Sequence, residues 1–153
     1  MKYYVFDTRI GRLTIGENKG AINIIAFGDK RLEGENKKTP LLEKAYLQLK
    51  EYFEGKRREF DLPLAPEGTE FQQRVWSALM TIPYGQTACY SEIAERIGNK
   101  NASRAVGMAN NANPIVIVIP CHRVIGKDGS LTGYGGGLDM KKRLLEIEKR
   151  GGL

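Results

Sequence analysis

The sequence predicts an α/β N-terminal domain, an antiparallel sheet plus a helix, followed by a mainly α-helical C-terminal domain with a winged-helix-like helix-turn-helix. Three observations carry this prediction. Short β-branched and aromatic runs separated by turn residues crowd the first third of the chain. Helical periodicity dominates from Thr69 onward, interrupted by glycine and proline. Between two helical stretches lies a continuous apolar run, Ile115-Val116-Ile117-Val118-Ile119, that ends at Pro120 and is followed by Cys121 and His122. A composition change at Leu62 to Gly68, with Pro63 and Pro66, reads as a linker and divides the chain into residues 1–66 and 67–153.

Taken in order, Tyr3-Tyr4-Val5-Phe6, Leu13-Thr14-Ile15 and Ala21-Ile22-Asn23-Ile24-Ile25-Ala26-Phe27 are strands of an antiparallel meander. Gly11 and Asn18-Lys19-Gly20 supply the turns. Gly28 to Pro40 is polar and reads as a loop. A helix is expected from Leu41 to Glu54, because Leu42, Ala45, Leu49, Tyr52 and Phe53 recur at three- and four-residue steps, and Gly55 ends it. Thr69 and Gln72 have capping-box spacing and open a helix through Met80, stopped at Pro83-Tyr84-Gly85. Tyr90 to Gly98 and Ala102 to Ala109 form a helix pair around a short polar turn, the pattern of a helix-turn-helix. A last helix runs from Leu138 to Lys149. The Ile115–Ile119 run reads as a short buried strand or extended segment, stopped by Pro120 because proline fixes its φ and lacks a donor.

Composition narrows the function classes. The chain has 153 residues, 41% hydrophobic and 27% charged, close to a globular norm. No apolar run approaches the length of a membrane helix, and Met1-Lys2-Tyr3-Tyr4-Val5 has no secretory pattern. The two cysteines suggest a reducing, cytoplasmic setting rather than a disulfide framework. With Cys89, Cys121 and His122 as the only thiols and imidazole, the ligand count is too small for a structural zinc site, so no metal and no cofactor is expected. A net charge of +6 favours an anionic partner.

Cys121 is the candidate nucleophile. A thiol at the point where a buried run breaks into a turn has little freedom and limited solvent, and His122, the only histidine, follows it directly. Glu148 falls three and four residues after Leu145 and Leu144, on the apolar stripe of the last helix, where a carboxylate needs a partner. The second helix of the pair is mostly Ala, Val, Gly and Met, with Ser103 and Arg104 as its main polar exceptions. Small residues allow close approach to a surface, and one arginine among them suits a weakly sequence-specific minor-groove binder better than a major-groove reader. Lys56-Arg57-Arg58 and Lys141-Lys142-Arg143 read as solvated faces or phosphate contacts.

The string Pro120-Cys121-His122-Arg123-Val124-Ile125-Gly126 resembles the active-site signature of the O6-alkylguanine-DNA alkyltransferases. The resemblance extends over nearly the whole C-terminal part, through Tyr90, Arg104-Ala105-Val106-Gly107, Asn113-Pro114, Gly133-Tyr134-Gly135-Gly136-Gly137-Leu138 and Leu144-Leu145-Glu146-Ile147-Glu148. It implies single-turnover DNA repair. The alkyl group of O6-alkylguanine, and by extension O4-alkylthymine, passes from a nucleotide flipped out of double-stranded DNA to Cys121. It implies His122 as the base acting through a water, Glu148 as the group that orients it, Tyr90 as proton donor at guanine N3, and Asn113 as the brace of the turn. Arg104 would fill the vacated stack. Tyr134 would wall the base pocket, while backbone groups at Cys121, Val124 and Gly135 would read the guanine edge. No obligate protein partner is expected, and the protein reads as a monomer. Cys89 stands where the family often has a helix-capping serine.

Three other classes fit the sequence less well. Non-catalytic relatives that bind alkylated DNA replace the cysteine, whereas Cys121 is present. A helix-turn-helix regulator needs more polar side chains on its second helix. A cysteine hydrolase needs an oxyanion site that the sequence does not display.

Overall fold

The structure, a computed structural model, describes residues 1–134 and 136–152 and divides into two units. The first comprises residues 1–67 with Pro114–Val116 and the C-terminal residues from Arg150; the second comprises Gly68–Asn113 and Ile117–Lys149.

In the first unit, strands β1 (Lys2–Thr8), β2 (Gly11–Asn18) and β3 (Ala21–Phe27) form an antiparallel meander, and a two-residue β4 (Glu35–Asn36) adds parallel to β1. The sheet order is β3-β2-β1-β4. The β2–β3 turn has Lys19 at φ 52° and Gly20 at φ 80°, the left-handed pair that a type I′ hairpin demands. The central strand is covered on both faces: Leu13, Thr14, Ile15 and Gly16 are all buried. Thr14 is satisfied there, donating to Gly28 O at 2.7 Å and accepting from Lys30 N at 2.8 Å. Helix α1 (Pro40–Phe53) lays Leu42, Ala45, Leu49, Tyr52 and Phe53 against the sheet. It starts one residue earlier than expected because Thr39 caps it, accepting from Leu42 N at 3.2 Å, and Pro40 occupies the first turn, where its missing N–H costs nothing.

Two parts of this unit differ from expectation. The polar segment 28–39 contains β4, held by main-chain bonds from Glu35 N to Met1 O (3.0 Å) and Lys37 N to Tyr3 O (3.0 Å). The linker is strapped down as well: Ile22 N donates to Pro63 O and Ala65 N to Ile22 O, each at 2.8 Å.

The second unit holds α2 (Glu70–Leu79), β5 (Ala88–Cys89), α3 (Tyr90–Arg96), α4 (Ser103–Asn111), a one-turn 3₁₀ segment (Cys121–Arg123), β6 (Val124–Ile125) and α5 (Leu138–Arg150). The Thr69–Gln72 capping box forms in both directions, at 3.1 and 2.9 Å. Trp76 on α2 donates its indole N–H to Ala109 O at 2.9 Å, tying α2 to α4. The α3–α4 turn closes at Gly98 (φ 78°), giving the helix-turn-helix. Strands β5 and β6 pair in parallel, which sequence patterning did not indicate.

The Ile115–Ile119 run is not a strand. Ile115 makes a single bridge to Ile25 in the first unit, and the backbone then turns, with Ile117 at φ 73°. A β-branched residue in the left-handed region is strained. It is held there by burial, since Ile117 is 1% exposed.

Candidate active site

All of the site residues described below belong to the second unit. The turn that follows Ile117 delivers Pro120 and then Cys121 as the first residue of the 3₁₀ segment, with Arg123 N bonded to Pro120 O at 3.0 Å. Two asparagines fasten this turn. Asn113 donates its amide to Ile119 O at 2.8 Å, and Asn110, from α4, donates to Cys121 O at 3.3 Å. The Val124 N–H also points at Cys121 O. Val124 itself is fully buried on β6 opposite Ala88.

Cys121 is buried and a free thiol. Burial pushes its pKa up to about 11, against the opposing pull of a hydrogen bond from Asn113, the charge of Lys141 and a hydrogen bond from Tyr134. At neutral pH the resting group is therefore a thiol, and nucleophilic attack requires that its proton be removed.

His122 and Glu148 meet in the interior. Nε2 of His122 lies 2.6 Å from Glu148 Oε2, with both side chains at most 1% exposed. Arg123 clamps the same carboxylate from the other side, Nε to Oε1 at 2.8 Å and Nη2 to Oε2 at 3.0 Å. Its Nη1 donates to Ile82 O at 2.7 Å. The Gly85 N–H adds a fourth donor to Glu148, at 3.2 Å from Oε1. Burial alone would raise the carboxyl, but the hydrogen bonds and charges of His122 and Arg123 outweigh it and hold the pKa at about 2. Burial lowers the His122 pKa, so the imidazole is neutral at pH 7; the Glu148 bond opposes this without reversing it. A neutral imidazole facing a carboxylate through Nε2 carries its proton there, which assigns Nδ1 as the lone-pair nitrogen. Nδ1 is buried and makes no hydrogen bond to protein.

Tyr90 opens α3 and shares a hydrogen bond with Thr132 Oγ1 at 3.1 Å while donating to Thr132 O at 3.3 Å. Gly107 of α4 faces this ring, and a Cβ there would meet it in ordinary van der Waals contact at 3.7 Å. Arg104 projects from the exposed face of α4, together with Ala105 and Met108, which is 71% exposed. Tyr134 interacts electrostatically with the Cys121 thiol, and burial raises its pKa strongly. Gly135 lies outside the described residues. Cys89 occupies the N-cap of α3, and the capping glutamate is in place, with Cys89 N donating to Glu92 Oε1 at 3.1 Å.

Two basic residues differ from what the sequence predicts. Lys141 is not part of a solvated face but is fully buried, with Nζ donating to Thr132 O at 2.7 Å. Its spacing to Leu144 and Glu148 (three and seven residues) puts it on the buried stripe of α5, although its residue type favours the surface. The sequence places Arg123 within the motif but carries no sign that its guanidinium grips Glu148.

A helix-turn-helix beside a buried cysteine, with a histidine–carboxylate pair behind it, defines a DNA-binding group-transfer protein. Comparison specifies the family. Residues 70–150 match the 6-O-methylguanine DNA methyltransferase, DNA binding domain, and residues 1–66 match the ribonuclease-like domain of the same proteins. The methylated-DNA--protein-cysteine methyltransferase of Methanosarcina acetivorans is 48% identical over 97% of this chain and 98% of its own. The Mycobacterium tuberculosis OGT, solved in complex with DNA, superimposes with a TM-score of 0.92 at 46% identity, over 99% of this chain and 95% of that one. A Methanococcus jannaschii O6-methylguanine DNA methyltransferase gives a TM-score of 0.70 at 32% identity, over 95% and 92%. The chain belongs to the 6-O-methylguanine DNA methyltransferase family.

Proposed function

We propose that this protein repairs double-stranded DNA by moving the alkyl group of O6-alkylguanine, and of O4-alkylthymine at need, onto Cys121 in a single, irreversible turnover. The observation that carries this reading is the buried Cys121 thiol next to a neutral His122 whose Nε2 is engaged by Glu148 at 2.6 Å and whose Nδ1 is unoccupied. In the step itself the Cys121 Sγ–carbon bond forms and the carbon–O6 bond breaks, its electron pair remaining on guanine. The thiol proton passes to His122 Nδ1 through a water, and the imidazolium that results is favoured by Glu148. Tyr90 donates its hydroxyl proton at guanine N3 and recovers one from solvent, while His122 releases its own. The products are a thioether and unmodified guanine.

Asn113 braces the turn that presents Cys121, Tyr134 lines the base pocket, and backbone groups of Val124 and Gly135 read the guanine edge. Arg104, exposed on α4, fills the space left by the flipped nucleotide. We place the protein in the cytoplasm, acting as a monomer without metal or cofactor. Among the described residues no helix is long and apolar enough to cross a membrane.

Mass spectrometry of the intact protein after incubation with O6-methylguanine duplex tests the reading. One methyl group on the Cys121 peptide, with repair stopping at one equivalent and abolished in Cys121→Ala, is expected. Turnover beyond one equivalent, or methylation confined to Cys89, overturns it. His122→Phe should react more slowly near neutrality and recover as the pH approaches the thiol's own value of about 11. Arg104→Ala should slow repair of duplex far more than reaction with free O6-benzylguanine.

A further inference from the structure

Asn110 does more than bracing requires. It is 1% exposed on α4 and donates Nδ2 to Cys121 O at 3.3 Å. That carbonyl belongs to the peptide joining Cys121 to His122, and it already accepts from the Val124 N–H. The same turn is held by Asn113 through Ile119 O at 2.8 Å. A leucine of similar shape at position 110 would keep the packing and bury no polar group. A carbonyl only accepts, so the amide nitrogen must face it, which leaves Oδ1 as the remaining end of the Asn110 amide. Among the described residues this oxygen is buried and has no hydrogen-bond partner.

The residue on the far side of that peptide is in the same condition. Glu148 engages His122 Nε2 at 2.6 Å, which makes Nδ1 an acceptor, and Nδ1 is likewise buried without a partner among the described residues. Two acceptors cannot bond each other. The Cys121 thiol carries one hydrogen and cannot serve both. A water carries two, and its own lone pairs remain to receive the hydrogen of the thiol.

We propose that Asn110 is a positioning residue for the proton transfer: its Nδ2 holds the Cys121–His122 peptide, and its Oδ1 accepts one hydrogen of the water that passes the Cys121 proton to His122 Nδ1. The proposal rests on His122 being the base for Cys121 and adds the group that aims its water. The thiol proton moves to the water oxygen as the water's other hydrogen moves to Nδ1, while the hydrogen on Oδ1 stays in place. The water is regenerated, the imidazolium faces Glu148, and the sulfur keeps the electron pair with which it attacks the alkyl carbon.

The test is a double-mutant cycle in the full chain that pairs Asn110→Leu with His122→Phe, each rate followed on the Cys121 peptide with iodoacetamide and with O6-methylguanine duplex. At pH 7 the Leu variant should react with both reagents about tenfold more slowly, less than the roughly 10²- to 10⁴-fold that a positioned base itself supplies. In the His122→Phe background the water has no base to serve, and adding Asn110→Leu should cost less than about twofold, the margin within which independent sites add. The titratable and charged groups acting on the thiol and the imidazole are Tyr134, Lys141, Arg123 and Glu148. Asn110 is uncharged, so its replacement removes none of these charges. The Leu variant should therefore regain the wild-type rate as pH rises toward the thiol's own value of about 11, whereas a merely displaced turn would stay slow at every pH. If the Leu variant does not fold, Asn110→Ala takes its place in the same cycle. Equal slowing in both backgrounds, slowing that persists at alkaline pH, or no slowing at all overturns the proposal. If His122→Phe alone keeps the wild-type rate at pH 7, the base assignment fails and the proposal falls with it. If the wild type takes no methyl group from the duplex while the iodoacetamide cycle is non-additive as expected, the alkyl-transfer reading fails and the role of Asn110 stands.

Discussion

The two units bury different kinds of polarity. Among the described residues the first buries Thr14, Thr39 and Gln48, all neutral, and each finds a local partner: Gln48, for instance, closes a pair of bonds with the backbone of Asp61 at 3.0 and 2.9 Å. The second buries His122, Arg123, Lys141 and Glu148 alongside Asn110 and Asn113. A satisfied neutral group is roughly neutral for stability, whereas removing an ion from water costs several kcal/mol that its partner only partly returns. The first unit is thus built as a scaffold would be. The second carries charge in its interior at a cost that packing does not require, and His122 and Arg123 of that cluster follow Cys121 directly in the chain.

The largest effect should come from breaking the charged cluster. Glu148→Leu leaves Arg123 and His122 buried without their anion and should destabilise the protein by about 3–5 kcal/mol, read from urea unfolding. Joining it to Arg123→Met removes both charges and should recover much of that loss without recovering alkyl transfer. Leu49→Ala, in the first unit's fully buried helix face, should cost about 2–5 kcal/mol through cavity formation and leave Cys121 as reactive as before. A Glu148→Leu protein within 1 kcal/mol of the wild type (a bound taken from the net worth of an ordinary hydrogen bond) would erase the contrast between the units.

Acid should separate the two units next. His122 has a lowered pKa when folded, so its contribution is present above its ordinary value of 6.5 and fades as pH falls below it, because the unfolded chain binds the proton more readily. Glu148 is held at about 2 against an ordinary 4.5, so its contribution is complete above 4.5 and is lost as pH falls from there toward 2. Both act in the same direction. Amide exchange should show the second unit loosening first on acidification, in two stages, with the upper stage missing in His122→Phe. Loosening that begins in the first unit would contradict the assignment of acid sensitivity to the buried cluster.

The same contrast governs what could be read from the sequence. The first unit's meander, the Thr69 capping box and the apolar stripe carrying Glu148 were legible, because period and capping chemistry are local. The short pairings were not: β4, β5 and β6 are two residues each and are held by main-chain bonds that ask little of side-chain type. The Ile115–Ile119 run has the composition of a strand, but a single left-handed residue at Ile117 turns it, and no local rule predicts that for isoleucine. Within the site, Cys121, His122 and Glu148 stood out as rare or oddly placed residue types. Lys141 and Arg123 did not, because basic residues are so commonly solvated that their type argues against burial.

The smallest effect concerns the caps of α1 in the first unit and α3 in the second. Thr39 accepts from Leu42 N at 3.2 Å, and Thr39→Ala should cost about 1 kcal/mol. Cys89 caps α3 with sulfur, a weak acceptor, although Glu92 completes the reciprocal half from Cys89 N at 3.1 Å. Cys89→Ser puts an oxygen where the helix N–H groups already point and should therefore add a few tenths of a kcal/mol, raising the melting temperature by about 1–2 °C for a chain of this size. It should also leave the stoichiometry at one methyl group per protein, all of it on Cys121. Calorimetry and intact-mass measurement on the one variant check both halves. A loss of stability would mean that the half-buried thiol contributes by packing rather than as a cap, since its Sγ also lies 3.1 Å from Ser91 Oγ. A fall in methyl uptake would mean that the second thiol has a part in the reaction that its position at the start of α3 does not suggest.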